Sequence, residues 1–175
     1  EIKKNNYNKK IIADAMDTKL KGIALGVVTA DCVPIILYDV KNEIIACIHA
    51  GWKGAYSDII LETLKKIKKI NSNNKIYACV GPCIGKKSYE VDLKFYKRFL
   101  LKSYKNKRYF SKKNNQKRIF DLRKFVTDKL LEFKVSVDQI DKDTFSEINN
   151  FFSYRRSTKL DQKDYGRCIS TVCMP

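Results

Sequence analysis

Histidine and tryptophan are the scarcest residues in this chain of 175 residues, which contains one of each. A multicopper centre is therefore disfavoured, because a single histidine cannot supply the many imidazoles that such a centre needs. No run of about 18 apolar residues occurs, and no apolar secretory segment stands at the start, so neither a membrane span nor a signal peptide is predicted. The six cysteines are scattered along the chain, which is typical of a reducing, cytoplasmic protein and not of a disulfide framework.

Acidic residues are also few, with 19 against 36 Lys and Arg, and the net charge is +17. The imbalance is greatest in residues 94–118, here called the basic segment, which has eleven Lys or Arg and no Asp or Glu. Aromatic residues alternate with these cations, as they do in surfaces that bind single-stranded nucleic acid. We favour the alternative that the segment is a solvated helix face followed by a basic loop, and we expect no nucleic-acid partner.

Hydrophobic periodicity predicts strands over residues 22–30, 34–38, 43–49, 75–80 and 168–172, and helices over 55–70, 92–104 and 121–133. Residues 51–54 form the turn into the first helix, which gives a βαβ-like unit, and residues 71–74 end that helix. Residues 138–150 are expected to be irregular, and 157–165 to form a charged loop. With no repeat and no linker, residues 1–175 are predicted to form a single compact α+β domain, with a mixed β-sheet layered with helices.

Cys32 and His49 each follow or end a predicted strand, where the two side chains can converge if the strands are neighbours. Such a pair can contribute two protein ligands to an open zinc site. Alternatively, His49 can deprotonate Cys32 for nucleophilic attack in a metal-independent hydrolase. Asp31 is a candidate to orient His49 or to act as a general base. A buried structural cysteine beside a hydrogen-bonded histidine stays open as the simplest interpretation.

Two further elements could bind an anion. The loop GPCIG at residues 81–85 contains Gly81 and Cys83 and could present backbone N–H groups to a phosphate. Arg155 and Arg167 could hold a phosphate through bidentate hydrogen bonds. Each feature also has an ordinary structural interpretation, as a tight turn and as surface arginines.

The order of these motifs resembles that of the laccase-domain family, also named multicopper polyphenol oxidases and purine nucleoside phosphorylases. The matching pieces are ADA at 13–15 with Thr18, LGVVTADCVP at 25–34, HAGWKG at 49–54, GPCIG at 81–85, FDL at 120–122, FSYRR at 152–156 and GR at 166–167. The chain departs from the family pattern at Asp143, where the family usually has cysteine.

The resemblance implies a zinc enzyme that phosphorolyses adenosine, inosine, guanosine and S-methyl-5′-thioadenosine, with adenosine deamination as a second activity. It implies that Cys32 and His49 are the second and third zinc ligands and that the protein binds a purine nucleoside and phosphate. Copper is the less favoured metal, and we expect a monomer. The family's first ligand is a histidine ahead of the ADA motif, and no histidine precedes Ala13. We expect this histidine in a segment upstream of Glu1; otherwise the protein has lost a ligand.

Overall fold

The computed structural model describes residues 1–6, 12–68 and 75–175, which form three β-sheets, five α-helices and two 3₁₀ helices. The main sheet has five strands in the order β1-β4-β3-β5-β9. Its strands are β1 Ala15–Thr18, β3 Val33–Asp39, β4 Ile44–Ala50, β5 Ile76–Val80 and β9 Ser136–Gln139. The smaller sheets pair β2 Ala24–Thr29 with β10 Cys168–Cys173, and β6 Glu90–Asp92, β7 Phe110–Lys112 and β8 Lys117–Phe120.

Strand β3 is the centre of the main sheet and is antiparallel to both β4 and β5. Strands β4 and β5 are consequently parallel to each other, with β3 between them. This arrangement agrees with the predicted βαβ-like unit, except that the two strands are not adjacent. All five predicted strands are present within a few residues of their expected bounds. The mixed sheet with packed helices confirms the predicted α+β class and the single compact domain.

The helices are α1 Trp52–Tyr56, α2 Ile59–Lys68, α3 Leu93–Lys102, α4 Leu122–Glu132 and α5 Tyr154–Lys159. The apolar faces of α2 and α4 cover one face of the main sheet, where Ile35, Leu37 and Ile48 are fully buried. The other face packs on β2 and β10 through Leu25, Val27, Ile45 and Cys47. Alternating residues of β3 and β4 therefore serve two separate apolar clusters, as expected for strands buried on both faces.

Four predictions of secondary structure were wrong in detail. The basic loop expected at the end of residues 94–118 is a 3₁₀ helix, Tyr104–Tyr109, followed by the antiparallel pair β7 and β8. The single helix expected over 55–70 is two helices, because Asp58 adopts a φ of 65° and interrupts it. The end of that prediction, and the stop at 71–74, lie outside the described residues. The loop expected from residue 157 begins later, since α5 continues to Lys159 after the side chain of Ser153 caps its start. Residues 136–139 form β9 by parallel pairing with β5, although the sequence indicated irregular structure from 138.

No helix in the described ranges is both long enough and apolar enough to cross a membrane.

Candidate active site

The pairing of β3 with β4 brings Cys32 and His49 together. Pro34 lies opposite His49 in this ladder, so Cys32 precedes β3 at the point where β4 ends. A Cβ atom placed on Gly51 would be 2.9 Å from Cys32 Sγ and 3.8 Å from His49 Nε2. The thiol and the imidazole therefore face one small space, and only glycine at position 51 leaves that space open.

The imidazole of His49 is held from one side and has no partner on the other. Its Nδ1 is 3.5 Å from Asp14 Oδ1, and its backbone N–H donates to the carbonyl of Asp14 at 2.7 Å. Nε2 is buried and has no hydrogen-bond partner among the described residues. A carboxylate at Nδ1 favours the tautomer with its proton there, which leaves the lone pair of Nε2 directed at the space shared with Cys32.

Asp14 contacts the candidate site residue His49, and the sequence analysis did not assign it, although it belongs to the ADA motif quoted for the resemblance. Only the pairing of strands β1 and β4 shows that Asp14 lies beside His49. Strand β1 pairs with β4 so that Ala15 faces Ile48, which places Asp14 next to His49. Nothing in the spacing of Asp14 and His49 along the chain indicates this contact.

The environment of Cys32 disfavours its thiolate in the metal-free protein. Burial raises the pKa of the Cys32 thiol to about 11, and the negative charges of Asp31 and Asp14 act in the same direction. A thiol with a raised pKa is a poor nucleophile near neutral pH. Binding a cation would reverse this effect, since a thiol that coordinates a metal loses its proton.

A cleft of about 240 Å³ lies beside Cys32. Its wall is largely apolar, with a few polar groups, which is the usual character of a small-molecule site. The residues that line it are Ala30, Asp31, Cys32, Trp52, Ile84, Tyr89, Leu122, Tyr154 and Arg155. Trp52, Tyr89 and Arg155 also line a second hollow of about 290 Å³ that extends to Lys117.

Arg155 and Tyr89 form one side of the cleft. The guanidinium of Arg155 donates from Nη1 to the Glu90 carbonyl at 2.8 Å and lies 5.2 Å from the centre of the Tyr89 ring. Burial raises the pKa of the Tyr89 hydroxyl, so this group is a neutral hydrogen-bond donor at ordinary pH. The cleft therefore combines one cation with neutral aromatic groups.

The carboxylate of Asp31 is buried and points away from Cys32 toward the start of α5. Its Oδ1 accepts from Thr144 Oγ1 at 2.7 Å, and its Oδ2 accepts from Ser153 Oγ at 2.9 Å and from the Arg155 amide at 2.6 Å. The backbone of Asp31 has a φ of 78°, a region that aspartate tolerates better than most residues. These three hydrogen bonds occupy both carboxylate oxygens, and the role of Asp31 as a general base stays a prediction.

Gly81, Cys83 and Arg167, which were predicted to bind phosphate, do not line the cleft. The Gly81 amide donates to the Pro34 carbonyl, and Cys83 is completely buried. Arg167 is exposed, and its guanidinium lies 4.5 Å from the centre of the Tyr165 ring. From the 81–85 loop it is Ile84 that reaches the cleft. Phosphate binding by Gly81, Cys83 and Arg167 stays a prediction, without direct geometric support.

Cys32 and His49 offer two donors that suit zinc, a thiol and an imidazole. The partnerless Nε2 and the space kept free by Gly51 fit a cation between them. Within the described ranges, no cluster of three or more His, Cys, Asp or Glu is arranged to hold a metal. The residues present thus fit two coordination positions of a zinc ion, and the remaining ligands have to come from elsewhere.

Comparison with known sequences places this site in a family. The chain belongs to the family described as "Multi-copper polyphenol oxidoreductase laccase", whose sequence profile matches residues 2–175. A protein named purine nucleoside phosphorylase from Rickettsia prowazekii is 42% identical over 163 residues, which are 91% of this chain and 67% of that protein. One of the same name from Rickettsia conorii is 39% identical over 165 residues, 93% of this chain and 68% of that protein. The resemblance noted from the motifs is confirmed.

Solved structures show the same fold. The hypothetical protein YfiH of Bacillus licheniformis superposes with a TM-score of 0.83 at 24% identity, covering 93% of this chain and 61% of that one. A Neisseria meningitidis protein gives a TM-score of 0.80 at 27% identity, covering 93% and 64%. The chain thus spans a little under two thirds of these solved chains, and about two thirds of the Rickettsia proteins.

Proposed function

We propose that this chain carries part of the active site of a zinc-dependent purine nucleoside phosphorylase. Its substrates would be adenosine, inosine, guanosine and S-methyl-5′-thioadenosine, with adenosine deamination as a second activity. The names of the Rickettsia relatives support the phosphorylase activity. The observation that carries the proposal is the placement of Cys32 Sγ and the partnerless His49 Nε2 around one space beside a largely apolar cleft.

The residues of the cleft have distinct parts in this proposal. Cys32 and His49 would hold zinc, with Asp14 setting the imidazole tautomer from behind. Zinc held there would supply Lewis acidity, which lowers the pKa of water and stabilises negative charge on oxygen. The guanidinium of Arg155 would attract and orient phosphate, since arginine matches phosphate oxygens well. Trp52 and Tyr89 would contact the nucleoside and exclude water from the reacting bond.

A metal-independent cysteine hydrolase is the weaker alternative. That chemistry needs a thiolate at neutral pH, and the pKa of the Cys32 thiol is raised to about 11 instead of lowered. The negative charges of Asp14 and Asp31 add to this effect, because both favour the protonated thiol. A laccase-type polyphenol oxidase, as the family name suggests, is also disfavoured because the sequence contains a single histidine.

The experiment that tests the proposal measures zinc content and purine release in the full-length protein that contains this chain. Cys32→Ser and His49→Ala are compared with Cys79→Ser, which removes a thiol from β5 outside the cleft. We expect the first two variants to lose zinc and phosphorolysis and the third to retain both. Deamination is followed separately as ammonia release in the absence of phosphate. Unchanged zinc and unchanged phosphorolysis in His49→Ala would refute the proposal.

A further inference from the structure

The environment of Asp31 suggests a task different from proton transfer. The residue is 9% exposed, and both of its carboxylate oxygens accept hydrogen bonds from neighbouring groups. The three donors come from residues 113 to 124 positions further along the chain, so one side chain connects segments that are remote in sequence. Two of the donors, Thr144 and Ser153, are themselves 2% exposed.

The geometry at the start of α5 shows what these bonds hold in place. Ser153 caps the helix, because its Oγ accepts from the Arg156 amide at 3.1 Å while donating to Asp31. The amide of Arg155, which precedes Arg156 in the same helical turn, donates to Asp31 Oδ2 at 2.6 Å. A carboxylate is favourable at this end of a helix because the first N–H groups have no partner within the helix. Asp31 therefore serves as a second cap, supplied from the other wall of the cleft.

We infer that Asp31 is a positioning residue, whose carboxylate fixes the first turn of α5 so that the Arg155 guanidinium faces the space beside Cys32. The inference rests on the proposed function in so far as Arg155 receives phosphate. Asp31 and Cys32 are adjacent in sequence but serve opposite walls: the thiol faces His49, and the carboxylate holds the wall that bears Tyr154 and Arg155.

This role differs from that of a general base in its response to Asp31→Asn. An asparagine oxygen can accept from Arg155 and Ser153, while its NH₂ group can donate to the hydroxyl of Thr144. The positioning role predicts that kcat for phosphorolysis falls by less than about tenfold, whereas loss of a general base costs roughly 10² to 10⁴-fold. Asp31→Ala removes both acceptor oxygens and with them all three hydrogen bonds, and it is expected to raise the KM for phosphate more than it lowers kcat.

Ser153→Ala is the matched variant, because it disrupts the same network without altering the carboxylate. It should change the KM for phosphate in the same direction as Asp31→Ala, by a smaller factor. Zinc content is measured in every variant and should stay at the wild-type level. A large loss of kcat in Asp31→Asn with an unchanged KM for phosphate, together with a normal Ser153→Ala, would overturn the inference in favour of a general base.

Hydrogen exchange at the amides of residues 154–156 gives a readout that needs no substrate. We expect slow exchange in the wild type and in Asp31→Asn, and fast exchange confined to this turn in Asp31→Ala. Equal exchange in the wild type and Asp31→Ala would overturn the inference. Absence of purine release by the wild-type protein would instead refute the proposed function, and the exchange experiment would still decide the role of Asp31.

Discussion

The Cys32–His49 corner and the basic segment both stand out in the sequence, but the structure uses them in opposite ways. At the corner, the side chains of interest converge on one space beside a cleft. In the basic segment, four rings turn inward: Phe99 and Tyr109 are buried, and Phe95 and Phe110 pack against the same core, whereas Tyr104 is exposed. The lysines between them lie on the surface.

The difference follows from where the residues sit in their elements. Phe95 and Phe99 are four positions apart in α3, and residues with that spacing share one face of a helix. The lysines and the arginine of the helix fall at other positions, so they are exposed while Phe95 and Phe99 face the core. Cys32 and His49 instead lie at the ends of paired strands, where the chain leaves the sheet. A rare residue at a strand end was the better guide to the site than a dense run of common ones.

The largest expected effect tests whether the rings of the basic segment are core. Phe99 is fully buried and stacks on Phe95 at 4.9 Å, with Phe120 also at 4.9 Å. We expect Phe99→Ala to lower the free energy of unfolding by about 3–5 kcal/mol, because it leaves a cavity in the core. Denaturant unfolding measures this loss.

Leu101→Ala is the control, since Leu101 lies on the same helix and is 88% exposed. Its effect should stay within about 0.5 kcal/mol. A Phe99→Ala variant as stable as Leu101→Ala would mean that these rings are available to a ligand, and the contrast between the two regions would fail.

The next effect concerns Asp14, which supports His49 from outside the cleft. If Cys32 and His49 hold zinc as proposed, Asp14→Ala should weaken zinc binding about 10- to 100-fold, as loss of such a partner does elsewhere. Competition with a chelator of known affinity measures the change. Asp14→Asn should lose less, because its carbonyl can still accept from Nδ1.

The tautomer of His49 provides a second measurement, in which its ¹⁵N signals are identified by their loss in His49→Ala. In the metal-free protein, the tautomer with the proton on Nδ1 should predominate, and Asp14→Ala should shift the population toward the proton on Nε2. An unchanged tautomer and an unchanged zinc affinity would show that Asp14 has no part in the site.

The fold was largely predictable because its strands and long helices carry clear periodicity. Cys32 and His49 were found because a cysteine and the one histidine of the sequence both fall at ends of predicted strands. The contacts that complete the site were not predictable, since they depend on pairing between distant segments. Asp14 meets His49 only through the β1–β4 register, and Asp31 meets Thr144 and Ser153 across more than 110 residues. The position of Arg155 was likewise fixed by a short helix whose cap, Ser153, was not recognised.

A smaller effect on stability is expected from substitution of Asp143, which binds the loop that brings Ile84 to the cleft. Burial acts to raise the pKa of the Asp143 carboxyl, but hydrogen bonds from the Ser88 hydroxyl and the Gly85 and Phe145 amides outweigh it, and the net pKa is lowered. A lowered pKa in the folded state means that ionised Asp143 stabilises the protein above the unfolded pKa of about 4, and that this contribution disappears as pH falls through the folded value. Asp143→Asn should therefore lower stability by about 1 kcal/mol at pH 7.

The pH dependence of the stability difference between the wild type and Asp143→Asn tests this prediction. Thermal melts from pH 7 down to pH 3 should show the wild type and Asp143→Asn converging as the wild-type carboxyl becomes protonated. A constant difference across that range would mean that the charge of Asp143 contributes nothing and that the variant acts through shape alone.

The smallest effect is expected from the exposed cations of the basic segment. Lys94, Lys105 and Lys112 are exposed, so changing all three to Glu should alter the free energy of unfolding only slightly, by about 0.5 kcal/mol per site or less. Zinc content and purine release should be unchanged, because none of the three lines the cleft.

Binding of a single-stranded oligonucleotide at 50 and 200 mM salt provides the opposing test. Tight binding that falls steeply with salt and disappears in the triple variant would give the basic segment a nucleic-acid partner, whereas weak binding that the substitutions leave unaltered agrees with a solvated helix face whose rings belong to the core.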